Sequence, residues 1–187
     1  DERQRHDRFR GLLPIPPDWS LFLGGGIYHH FIPSAVDAII SRAEFATSYT
    51  PYQPEVSQGT LQALFEYQTL ICQLTGMEVS NAAVYDGASA AAEAVLMSRR
   101  IQSSTRRRVL ISRALHPHYR TVVATYLRNL PHVELEEIPF SATGATDTEE
   151  LARRIGNQAI CVVLGYPNFF GVIEDLGPAK AVCSKTG

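Results

Sequence analysis

Lysine is scarce in this sequence, and long apolar segments are absent. Lys180 and Lys185 are the only lysines, so the other permanently positive side chains are arginines. No apolar run approaches the roughly 20 residues that cross a bilayer, and the charged residues 1–10 lack the apolar core of a signal peptide. These absences argue against membrane insertion and secretion, and a cytoplasmic location is the expectation.

The sequence also has few cysteines and no excess of one charge. Cys72, Cys161 and Cys183 are odd in number and far apart in apolar segments, which predicts buried thiols rather than disulfides or a zinc site. The histidines have no carboxylate or cysteine partner at ligand spacing, so no metal site is predicted. The formal net charge of −2 does not favour nucleic-acid binding.

The chain divides into an arm, residues 1–20, and one domain, residues 21–187. The arm is charged in its first half and is then interrupted by prolines. The first part of the domain has helical periodicity, which predicts helices at residues 35–42 and 58–74. Ser57 is expected to cap the longer helix and Gly76 to end it.

From residue 81 onward, apolar runs alternate with segments of helical period. Strands are predicted at residues 81–85, 108–112, 133–139 and 159–165. Helices are predicted at residues 87–100, 117–130, 147–155 and from 178 onward. This alternation predicts an α/β domain with a mainly parallel sheet and helices on both faces.

A turn at residues 85–90 leads from a predicted strand into an alanine-rich helix. Small residues let an anion approach the helix N-terminus, where exposed N–H groups and the helix dipole favour phosphate. Alternatively, glycine and alanine only permit tight packing, and a side chain of the turn caps the helix. The candidate phosphate-binding residues are Asp86, Gly87, Ala88 and Ser89.

Two more loops carry candidate binding residues. Residues 50–59 combine two prolines with many hydrogen-bonding groups, as binding loops on rigid scaffolds often do; alternatively, they only form the start of a helix. Its candidates are Thr50, Tyr52, Gln53, Glu55, Ser57 and Gln58. Residues 166–171 follow an apolar strand, so they fall at the carboxyl edge where ligands of parallel sheets bind. Asn168 is the candidate there, and an aromatic turn packed over the sheet edge is the alternative.

Several segments, taken in order, resemble the P protein of the glycine cleavage system. They read FLGGG at residues 22–26, YTPYQPEVSQG at 49–59, FEYQT at 65–69, NAAVYDGASA at 81–90 and YPNFFGVIED at 166–175. Each segment alone is modest evidence. Their order and spacing are kept over residues 21–176, and that combination is highly specific.

The resemblance implies a fold and an activity. The fold is the large domain of a pyridoxal-phosphate (PLP) dependent transferase, aspartate aminotransferase-like or fold type I, incomplete in this chain. The activity is that of an oxidoreductase, glycine dehydrogenase (decarboxylating), which decarboxylates glycine and passes the aminomethyl group to the lipoyl arm of the H protein. The chain resembles subunit 1 of a split P protein, or the N-terminal half of a fused one.

The resemblance further implies that no catalytic residue lies in this chain. The PLP lysine of this fold follows the loop at residues 166–171 and its helix, whereas Lys180 and Lys185 fall within that helix. PLP is therefore expected in subunit 2 or the C-terminal half, and the turn at residues 85–90 is then a relic of a phosphate site. The alternatives are another fold-type-I enzyme, an aminotransferase or cysteine desulfurase, or a non-catalytic structural subunit.

Overall fold

The computed structural model describes residues 31–46, 50–102 and 105–186. The chain forms two compact units, Asp1–Ala82 and Ala83–Gly187. The predicted arm, residues 1–20, lies outside the described residues. Among the helices described, none has both the length and the apolar character needed to span a membrane.

The first unit is helical where it is described. Its elements are α1 (Ser34–Ile40), α2 (Ala43–Ala46), a 3₁₀ turn (Pro54–Val56) and α3 (Gln58–Thr75). Helix α3 ends as predicted, because Gly76 adopts the left-handed conformation (φ 71°) and its N–H bonds to the carbonyl of Cys72.

Ser57 occupies the N-cap position of α3, but its side chain makes no capping hydrogen bond. Its backbone (φ −114°, ψ 18°) departs from the extended conformation that directs a capping hydroxyl at the helix N–H groups. Instead the Ser57 N–H bonds to the carbonyl of Pro54, 3.2 Å away, and closes the 3₁₀ turn. The predicted side-chain cap is therefore wrong, and the turn shapes the start of the helix.

The second unit is a three-stranded parallel sheet with helices. Its elements are α4 (Gly87–Ile101), β1 (Arg108–Ser112), α5 (Pro117–Leu127), β2 (Glu134–Ile138), α6 (Thr148–Arg154), β3 (Ala159–Val163) and α7 (Leu176–Thr186). The strand order is β2-β1-β3, and β1 pairs in parallel with both neighbours. The predicted strands at residues 108–112, 133–139 and 159–165 are confirmed, with ends shifted by up to two residues.

The predicted strand at residues 81–85 does not form. Asn81 accepts the N–H of Ala82 through its own side chain (2.8 Å), a local bond that competes with strand pairing. Tyr85 is fully exposed, so this apolar run is not buried in a sheet. Helix α4 is consequently reached through an irregular segment rather than a strand.

The sheet is covered on both faces, as predicted. Val109 and Ile111 of β1 pack with residues of α4 and α5, such as Val95 and Val123. Leu110, which points to the opposite face, packs with residues of α6 and α7. Burying each of these side chains contributes roughly 1.5–3 kcal/mol. Since β1 is the central strand, it fixes which loops meet at the carboxyl end of the sheet.

Candidate functional site

Three segments converge at the carboxyl edge of the sheet in the second unit. They are the N-terminus of α4, residues 113–119 after β1, and the loop at residues 166–171 after β3. The N–H of Phe169 bonds to the carbonyl of Ala114 at 2.8 Å, which joins two of them. The parallel register of β1 and β3 causes this convergence, since both strands end at the same edge.

The N-terminus of α4 is capped by Asp86. Its carboxylate accepts the backbone N–H of Ser89 at 2.8 Å and the Ser89 hydroxyl at 2.9 Å. These bonds, the backbone N–H first, hold the pKa of Asp86 below its usual value. An internal carboxylate thus already uses the helix N–H groups and dipole, and an incoming phosphate would compete with it.

Small residues let α4 approach α5 closely. A Cβ added at Gly87 would lie 2.1 Å from the Tyr119 hydroxyl oxygen, far inside van der Waals contact. Ala88 is buried in the next position. The capping and packing anticipated as the alternative for this turn are therefore both present, and phosphate binding by Asp86, Gly87, Ala88 and Ser89 stays a prediction.

His116 stands at the centre of an aromatic cluster. It precedes Pro117 at the start of α5, and its Nδ1 accepts the N–H of His118 at 3.2 Å. Its ring lies 5.0 Å from the His118 ring, 5.5 Å from the Tyr119 ring and 4.9 Å from the Phe169 ring, the last edge-on at 80°. The sequence predicted no role for His116, although its place between a buried strand and a helix that begins with proline indicates the carboxyl edge.

Asn168 is buried and turned into the protein. Its Nδ2 donates to the carbonyl of Gly144 and to Glu174 Oε1, both at 2.8 Å. Its Oδ1 accepts the N–H groups of Phe170 (2.9 Å) and Val172 (3.1 Å). The amide therefore shapes the loop at residues 166–171, and its contact with a ligand stays a prediction.

The candidates at residues 50–58 belong to the first unit. Five of them are exposed and Ser57 is half-buried. Tyr52 has 76% of its surface accessible. The loop contains the 3₁₀ turn Pro54–Val56, which stiffens it. It thus presents hydrogen-bonding side chains outward on a restrained backbone.

The two lysines do not suit a Schiff base at this edge. Arg106, two residues before β1, donates to the carbonyl of Thr186 at 3.1 Å, so the end of α7 that carries Lys185 lies at the amino edge. Lys180 is exposed on α7, which covers the sheet face opposite to α4. With Asp86 at the α4 N-terminus as well, the residues present do not fit a covalently held PLP.

In the described part of the chain, neither the cysteines nor a cluster of metal ligands adds to this candidate site. The three cysteines are free and half-buried. Burial raises the pKa of Cys161 to about 11, and it also raises the pKa of Cys183. Among the described residues, no group of three or more His, Cys, Asp or Glu side chains could hold a metal ion.

Comparisons with known proteins agree with the sequence resemblance. Two relatives are named probable glycine dehydrogenase (decarboxylating) subunit 1. The one from Anaeromyxobacter dehalogenans (strain 2CP-C) is 54% identical over 166 residues, 89% of this chain and 37% of the relative. The one from Geobacillus thermodenitrificans (strain NG80-2) is 55% identical over 161 residues, 86% of this chain and 34% of the relative. The chain thus spans little more than a third of their length.

A crystal structure of glycine decarboxylase (P-protein) of the glycine cleavage system, in inhibitor-bound form, has a similar fold. The TM-score is 0.79 at 42% identity, over 100% of this chain and 41% of the other. The PLP-dependent transferase fold implied by the resemblance is therefore confirmed. The sequence profile of the glycine cleavage system P-protein family matches residues 17–186. On these grounds, the chain belongs to the glycine cleavage system P-protein family.

Proposed function

We propose that the complete protein is subunit 1, or the N-terminal half, of glycine dehydrogenase (decarboxylating). It would act with subunit 2, or the C-terminal half, to decarboxylate glycine and pass the aminomethyl group to lipoylated H protein. The observation that carries this proposal is the 54% identity to a subunit 1 over 166 residues. PLP belongs to the partner in this proposal, since the lysines and the capped α4 N-terminus of this chain do not fit it.

The loop at residues 50–58 is our candidate for the contribution of this chain to the partner's site. Its side chains are exposed, and its prolines limit the entropy lost when the loop is ordered against glycine or the lipoyl arm. Tyr52 and Gln53 are the proposed hydrogen-bonding residues. Gln73, an exposed residue of α3 outside the loop, provides a control.

The test is glycine–bicarbonate exchange by the complete protein assembled with subunit 2 and supplied with H protein. Tyr52→Phe and Gln53→Ala are expected to raise the activation free energy by on the order of 2–4 kcal/mol if they bind developing charge. The control Gln73→Ala should leave exchange unchanged and should alter the free energy of unfolding by no more than about 0.5 kcal/mol. Full activity of both the Tyr52 and Gln53 variants would end the proposal for the loop.

A purely structural subunit 1 is the second candidate. The Asp86 carboxylate at the α4 N-terminus favours it, because this anion replaces the one a cofactor would supply. In that case Tyr52→Phe and Gln53→Ala would leave exchange unchanged, and only variants that prevent assembly would abolish it. Size-exclusion chromatography of each assembled variant, run beside the exchange assay, separates the two functions.

A further inference from the structure

A buried carboxylate, Glu174, lies behind the carboxyl edge of the sheet. The residue is 7% exposed, and among the described residues it is the one acidic residue that is buried. Its Oε1 accepts three hydrogen bonds: from the Thr146 N–H (3.2 Å), the Thr146 hydroxyl (2.9 Å) and Asn168 Nδ2 (2.8 Å). One carboxylate oxygen thus gathers donors from two separate loops.

The bonds continue from Thr146 to the end of β1. The Thr146 hydroxyl donates its only proton to Glu174. In the 2.7 Å contact between Thr146 Oγ1 and Ser112 Oγ, Thr146 therefore accepts and the Ser112 hydroxyl donates. Ser112 Oγ in turn accepts the N–H of Ala114 at 3.0 Å. A continuous chain of hydrogen bonds therefore ties together the segments that follow β1, β2 and β3.

This chain of bonds fixes the aromatic loop after β3. Asn168, held by Glu174, binds the N–H groups of Phe170 and Val172. The loop then sets the Phe169 ring 4.9 Å from His116 and the Phe170 ring 4.8 Å from Phe140. Displacing the Glu174 carboxylate would remove one of the two acceptors of Asn168 Nδ2 and so weaken the restraint on both rings.

We propose that Glu174 is a positioning residue, which sets the loop at residues 166–171 and thereby the surface that this chain contributes to glycine decarboxylation. The inference rests on the proposed function. Stability alone does not require a carboxylate here, because burying a charge is costly and a neutral amide oxygen can accept from the same donors. What the carboxylate adds is a fixed acceptor that only one arrangement of the three segments can satisfy.

The test compares Glu174→Leu with Glu174→Gln in the complete complex. Leucine removes the acceptor that these three donors share, and kcat for glycine–bicarbonate exchange should fall roughly tenfold to a hundredfold, as for a misplaced site. The glutamine amide oxygen can still accept these bonds, so Glu174→Gln should keep most of the activity. Equal losses in the two variants, or wild-type kcat in Glu174→Leu, would overturn the proposal.

Arg106→Ala serves as a control for lost stability. Arg106 donates to the carbonyls of Ala159 (2.8 Å) and Thr186 (3.1 Å) at the amino edge, far from the loop. Its removal should lower the melting temperature without lowering kcat. A drop in kcat for Arg106→Ala equal to that for Glu174→Leu would mean that any destabilisation reduces activity, which overturns the positioning role.

Amide hydrogen exchange tests the proposal without using activity. The N–H groups of Phe170 and Val172 should lose protection in Glu174→Leu and keep it in Glu174→Gln. If the wild-type complex does not exchange glycine, the proposed function fails, but these amides still decide whether Glu174 holds the loop. Unchanged protection in Glu174→Leu overturns that role.

If Glu174→Leu does not assemble, Thr146→Val replaces it in the test. This variant removes one donor to Glu174, so it should show a smaller loss of amide protection and of kcat. Wild-type protection and kcat in Thr146→Val would count against the proposal.

Discussion

Asn168 allows a sharp test of the buried hydrogen bonds, because aspartate has nearly its shape but no amide donor. In the wild type, Nδ2 donates to the carbonyl of Gly144 and to Glu174 Oε1, each at 2.8 Å. Asn168→Asp puts a carboxylate oxygen in the place of this nitrogen. The other oxygen can still accept from Phe170 and Val172, so the change is confined to the two lost donor bonds.

The magnitude follows from these contacts. Each buried acceptor left without its donor costs about 1–3 kcal/mol. Two carboxylate oxygens near 2.8 Å would repel by about 6 kcal/mol at an effective dielectric constant of 20, a cost that the variant limits by binding a proton between them. We therefore expect Asn168→Asp to lower the free energy of unfolding by roughly 3–5 kcal/mol at pH 7.

The assay is urea unfolding of the complete protein at pH 7 and pH 5, followed by circular dichroism. Since the folded variant binds a proton that the unfolded chain binds less readily, its stability relative to the wild type should rise as the pH falls. Asn157→Asp, the same change at an exposed residue, should stay within about 0.5 kcal/mol of the wild type. An equally small effect of Asn168→Asp at pH 7, or a loss that does not shrink at pH 5, would refute the reasoning.

Three further predictions concern other parts of the second unit. Gly87→Ala should destabilise the protein by roughly 1–3 kcal/mol through its clash with Tyr119, and by less in a Tyr119→Phe background; equal melting-temperature losses in both backgrounds would contradict this. The lowered pKa of Asp86 means that its contribution to stability is present above about pH 4 and is lost as the pH falls further, so acid titration of the melting temperature should show the advantage over Asp86→Asn disappearing there. With its pKa raised to about 11, Cys161 is about one-thousandth thiolate at pH 8, and iodoacetamide should label it far more slowly in the folded protein than in urea.

Local signals in the sequence were sufficient for most of the elements. The period of residues 58–74 predicted α3 to within one residue, since Gly76 can adopt the positive φ that ends a helix. The apolar run at residues 108–112 coincides with β1. Two predictions were wrong because a different short-range hydrogen bond forms. The strand at residues 81–85 is absent where the Asn81 side chain accepts the N–H of Ala82, and the Ser57 cap is absent where the Ser57 N–H closes a 3₁₀ turn.

The carboxyl-edge site was only partly visible in the sequence. The predicted parallel strands located the loop of Asn168 at the carboxyl edge of the sheet, because this loop follows the end of β3. The direction of its side chain could not be predicted, since an asparagine in a polar loop can turn to a ligand or to the protein. The aromatic cluster around His116 was not predicted, because Phe169, which packs edge-on against His116, comes from another loop.

By itself, the sequence determined the family, the order of most helices and strands, and the scarcity of lysine. These properties are carried by residue identity and by patterns a few residues long. Only the tertiary structure decided that Ser112, Thr146, Asn168 and Glu174 form one hydrogen-bonded group. Ser112 and Thr146 are 34 residues apart and Thr146 and Glu174 are 28 apart, and such contacts arise only when the parallel strands bring their carboxyl ends to one edge of the sheet.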